Sequence, residues 1–131
     1  MEGLENLKKE HDEIEQFLVE LEVIMESGNV NYPNFIGVFR KLCARWDVHE
    51  RNEEEFFEKL EQKNYGIPYD ELLFEHGKLG KYRKRLSRAL QSGSEDKMQV
   101  SLNNEGRKLM GMLRGHIRKE DEILYRIPEE L

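Results

Sequence analysis

Six side chains in this sequence combine metal-ligating chemistry with spacings that aim them the same way: His11, His49, Glu53, His76, His116 and Glu120. The four histidines are all that the chain contains. Three of them are followed four residues later by glutamate, and two of these pairs, in "HERNE" (49–53) and "HIRKE" (116–120), lie on apolar seams. On a helix, residues i and i+4 stand on one face, so each pair presents an imidazole and a carboxylate together. The next acids, Glu54 and Asp121, lie five positions after the histidines. That spacing rotates them about 140° off the face. Two carboxylates buried side by side would repel and lose hydration, at a cost of several kcal/mol. One or two divalent cations remove that cost, so four imidazoles and two carboxylates around one point form a metal site. Glu15, which makes a third His-x-x-x-Glu after His11, reads mainly as solvated helix face, as do Glu22, Glu50 and Asp121.

The elements that must position these residues follow from hydrophobic periodicity. Around "HERNE" the seam runs Phe35, Phe39, Leu42, Trp46, His49, Glu53, Phe56, Leu60, in alternating steps of four and three. An earlier stripe, Leu4, Leu7, His11, Ile14, Leu18, Leu21, Met25, ends at the turn-forming "SGNVNYP". The second helix therefore starts near Pro33 and runs to about Gln62, where "KNYGIPYD" breaks it and Asp70 is placed to cap the next. A third stripe carries Leu72, Leu73, His76, Leu79, Leu86 and Leu90 and stops at "QSGSED", with Ser94 as N-cap of a fourth. The last holds Leu102, Leu109, Leu113, His116, Glu120, Ile123 and Ile127. Each helix thus has one histidine on its apolar stripe. Short connections force neighbouring helices antiparallel, which predicts an all-α, up-down-up-down four-helix bundle in a single domain over residues 1–131. His11 and His49 are each 19 positions from the first turn, near residue 30. His76 and His116 are about 17 and 23 from the turn near 93, so all four are expected in one layer.

Composition narrows the classes. Charged and hydrophobic residues each make up 37% of the 131, and only three are proline, which suits helices with narrow apolar stripes. The net charge of -6 speaks against nucleic acid as a partner. No apolar run approaches the roughly 20 residues that span a bilayer, and "MEGLENLKKEHDEIE" has no apolar signal stretch. The lone Cys43 cannot form an intrachain disulfide, so the expected location is the cytoplasm, away from membranes. Trp46, Phe56, Ile14, Leu79, Met112 and Leu113 lie within a turn of the six residues and are expected to wall their pocket. "KLGKYRKRLSR" (78–88) has six basic residues and reads as a charged outer face.

Two other helical metal patterns are excluded. Glu-x-x-His needs glutamate three before histidine, where this chain has Lys8, Trp46, Leu73 and Leu113. The zinc-protease pattern His-Glu-x-x-His fails because "HERNE" ends on Glu53. The ordered set of His11, "HERNE", His76 and "HIRKE" instead resembles the hemerythrin-like (HHE cation-binding) family over essentially the whole chain. That resemblance implies two non-haem irons held by the six residues, with Glu53 and Glu120 joining them beside an oxo or hydroxo oxygen. By donor type alone, manganese or zinc would serve as well. Oxygen-carrying members have a further histidine four residues after the third-helix one, where this chain has Gly80. The implied function is binding of dioxygen or a related diatomic or peroxide ligand, in sensing, scavenging or iron handling. The alternatives are a di-iron enzyme (an oxidase, a peroxide- or nitric oxide-processing protein, or an iron-sulfur repair factor) and a metal-free structural or interaction bundle. No residue beyond the ligands stands out as a catalytic acid, base or nucleophile.

Overall fold

A computed structural model describes residues 2–127, and every regular element in them is helical. Helix α1 spans Glu2–Glu26, α2 Tyr32–Gln62 and α3 Tyr69–Gln91. The fourth helix has three stretches: α4 at Glu95–Ser101, a π-helical turn at Leu102–Gly106, and α5 at Arg107–Tyr125. The fold is therefore all-α, with the four helices of a bundle and no strand among the described residues. None of these helices is long and apolar enough to cross a membrane.

Local chemistry sets the helix ends. Asn31 caps α2 by accepting a bond from the Asn34 amide at 3.1 Å, with Pro33 in the first turn. At the other end Asn64 adopts φ +62°, and the amides of Tyr65 and Asn64 reach back to the carbonyls of Leu60 and Glu61. That is a Schellman closure with asparagine in the left-handed position. Gly93, at φ +71°, takes the same position after α3. Ser94 caps α4 as expected, accepting from the Lys97 amide at 3.3 Å. Asp70 does not cap α3, because the helix already begins at Tyr69; it lies in the first turn, where its charge favours the helix dipole.

The chain divides into two compact units, one of residues up to Tyr69 with those from Glu120 onward, the other Asp70–Lys119. In the first, α1 and α2 run antiparallel, since Glu10 meets His49 whereas Glu13 meets Arg45. The end of α5 lies along α1, where Asp121 bonds His11 and the Lys8 ammonium sits 4.7 Å over the Tyr125 ring. All eight seam residues of α2, from Phe35 to Leu60, are buried. In the second unit α3 and α5 are antiparallel, with Glu71 bonded to Lys119 and Glu75 to His116. Leu72 is buried there, but Leu73 is 37% exposed, contrary to expectation. Adjacent helix residues diverge by about 100°, so a narrow stripe takes one of such a pair. After Glu120 the buried position is Leu124, four residues on, while Ile123 is only half-buried.

Candidate metal centre

The first unit brings four of the six expected ligands together. The stripe of α1 carries His11, that of α2 carries His49 and Glu53, and Glu120 comes from α5. Ligand atoms of these four lie within 4.8 Å of one another. All four side chains are buried, Glu53 and Glu120 almost completely. His11 Nε2 is 3.4 Å from Glu53 Oε2 and 3.3 Å from Glu120 Oε1, so one imidazole nitrogen stands between two carboxylates. The His11 and His49 rings meet edge to face, with centroids 4.5 Å apart. Trp46, Phe56 and Ile14, expected as walls, are buried in this unit.

The second unit holds the other two. His76 of α3 and His116 of α5 are buried and meet edge to face at 4.7 Å between centroids, much as His11 and His49 do. Leu79 and Leu113 are buried with them, and Met112 is half-buried. A Cβ added at Gly80 would meet nothing within 4 Å.

Three carboxylates outside the expected set orient these imidazoles. His11 Nδ1–H donates to Asp121 Oδ1 at 2.6 Å. His49 Nδ1–H donates to Glu10 Oε1 at 2.8 Å, and the other oxygen of Glu10 accepts from Asn52 Nδ2 at 2.8 Å. His116 Nδ1–H donates to Glu75 Oε2 over a longer 3.4 Å, and Lys119 in turn bonds Glu75 and Glu71. A carboxylate on Nδ1 fixes the tautomer and leaves Nε2 to serve a metal. Asp121, expected on the outer face, is thus only 35% exposed and tied to His11. The signal that was missed is adjacency: Glu10 precedes His11, Glu75 precedes His76, and Asp121 follows Glu120. Such a neighbour points about 100° around the helix from the ligand beside it, towards the next helix. Glu15, by contrast, is half-buried and contributes no atom to the four-residue cluster.

Electrostatics in the cluster favour a cation. Burial alone would lower the His11 pKa, yet contacts with Glu120, Glu53 and Asp121 outweigh it and push it up to about 10. For His49, burial and the nearby His11 act downward, but Glu53 and Glu10 prevail and its pKa is also raised. Carboxylates this close favour the positively charged form of a histidine. The same donor atoms, four within 4.8 Å, are of the kind that hold a metal ion. His49 Nε2 is buried and forms no hydrogen bond, although Glu53 Oε2 is only 2.8 Å away.

An all-helical chain with a buried imidazole and carboxylate cluster defines a helical cation-binding protein. The family model of the hemerythrin HHE cation-binding domain matches residues 2–127, and the chain belongs to that family. No curated protein and no solved structure matches it.

Proposed function

We propose that this protein holds two iron ions and uses them to bind dioxygen or a related small diatomic or peroxide ligand. His11, His49, His76 and His116 would act as imidazole ligands in this reading, and Glu53 and Glu120 would supply carboxylate ligands. The observation that carries it is the buried cluster of His11, His49, Glu53 and Glu120, whose ligand atoms all lie within 4.8 Å of one another. Membership of a cation-binding family supports it, as does the same edge-to-face histidine pair in the second unit. When bound, iron supplies a redox-active centre to which small molecules attach. The chain's own residues supply position and dryness. Asp121 and Glu10 hold His11 and His49 with Nε2 directed inward, while Trp46, Ile14 and Leu113 keep water from the ligands.

A second reading, a di-iron enzyme acting on peroxide or nitric oxide, is favoured by one feature. With glycine at position 80 and four histidines in all, the chain has fewer imidazoles than the oxygen carriers it resembles. In either case the single Cys43 fits a reducing, cytoplasmic setting.

Absorption spectra of the iron-loaded protein separate the readings. Ferric charge-transfer bands that change on removing dioxygen and return on readmitting it support a carrier or sensor. Repeated consumption of added peroxide or nitric oxide supports the enzyme. A spectrum indifferent to all three would contradict both.

A further inference from the structure

In the second unit, the groove between α3 and α5 has a candidate ligand in its floor. It encloses about 510 Å³ and is lined by Phe74, Lys78, Leu79, Met112, Gly115 and His116, among others. That volume falls among sites for small organic molecules, roughly 300–1,000 Å³, and exceeds what a diatomic needs. Leu79 and His116 are buried beneath it, whereas Phe74 stands 73% exposed at its edge. Gly80 does not line it; Gly115 does. A Cβ on Gly115 would meet nothing within 4 Å, so packing does not require glycine there. A helix-interior glycine costs about 0.5–1 kcal/mol relative to alanine. What the missing side chain provides is open space beside His116.

Charge defines what fits. Glu71 and Glu75 also line the groove, but they share Lys119, and Glu75 accepts from His116 as well, so these carboxylates are engaged. Lys78 has no ion pair among the described residues. Lys81 and Arg85 extend the positive charge along α3 in an adjoining groove that shares Phe74 and Lys78. An apolar floor, an aromatic edge and an uncommitted ammonium complement a small molecule with an apolar body and one negative charge.

We propose that this groove binds a small organic monoanion, its apolar part on Leu79 and Met112 and its carboxylate on Lys78, and is the approach by which it reaches the centre. The route to the centre rests on His116 being a metal ligand; binding in the groove does not.

Calorimetric titration of the metal-loaded full chain with phenylacetate, and with its neutral analogue 2-phenylethanol, tests this. Saturable binding of phenylacetate is expected, at least about tenfold tighter than the alcohol, the factor that corresponds to about 1.4 kcal/mol. Lys78→Glu should erase the preference for the acid. Gly115→Leu should abolish binding of both while metal content stays unchanged. Should the leucine variant fail to fold, the exposed Lys78 variant still decides. No heat with millimolar phenylacetate, or equal binding in wild type and Lys78→Glu, would overturn the proposal. Metal per chain, measured on the same samples, keeps the two claims apart. Metal without phenylacetate binding defeats the groove alone, and phenylacetate binding without metal defeats only the route to the centre.

Discussion

Glu10 and Asp121 each hold one imidazole of the buried pair His49 and His11. Each takes an Nδ1 proton at hydrogen-bond distance and so decides which nitrogen faces inward. Removing that control should weaken metal binding by about 10–100-fold without unfolding the helices. Glu10→Gln and Asp121→Asn are therefore expected to keep wild-type circular dichroism and lose affinity in a chelator competition; unchanged affinity would mean these carboxylates do not orient the ligands. The raised pKa values make a second test. A group with its pKa raised to about 10 is protonated at pH 8, whereas a metal requires its neutral form. Adding metal to chelated protein at pH 8 in weak buffer should thus release protons, at least one per chain from His11, and apparent affinity should rise with pH. Binding with no proton release would contradict the placement of His11. The clustering of His49 and Glu53 was legible from sequence because an i, i+4 pair lies within one helix. The carboxylate partners of the imidazoles were not, because Glu10 and Asp121 act on the helix beside their own, which no single-helix period encodes.

At the scale of elements, boundaries followed from turn chemistry, and Ser94, Pro33 and the "QSGSED" break all stand where the residues placed them. The π turn at Leu102–Gly106 did not show in the pattern. Leu102 and Leu109 are seven apart, so the stripe reads as unbroken across it. Its mark is Gly106, where a Cβ would lie 3.1 Å from Leu102 Cδ1 and 3.8 Å from Leu86. Gly111, one turn on in α5, faces open space. Glycine to alanine in an unhindered helix stabilises by about 0.5–1 kcal/mol. Gly111→Ala should raise the denaturation midpoint accordingly, whereas Gly106→Ala should give no gain or a loss. An equal gain in both would show that the π turn does not depend on glycine.

For the whole molecule, fold class was the easiest level to read. One buried stripe per helix, with a histidine on each, is enough to demand an all-α chain and a polar centre. Leu73 and Ile123 strayed because periodicity places a stripe to within about a residue, and packing then chooses between neighbours. Function was legible only as far as donor chemistry reaches: imidazoles and carboxylates specify a cation, while the identity of the metal depends on borderline preferences that several ions share. The groove beside His116 could not be foreseen, because it arises from Phe74, Met112 and Gly115 of two helices far apart in sequence. The central claim is that the buried histidines and glutamates are metal ligands. Elemental analysis of the protein purified without chelator tests it most directly. The account predicts about two iron ions per chain, the number six such ligands hold in a shared-carboxylate centre. Less than about one transition-metal ion per chain would contradict it.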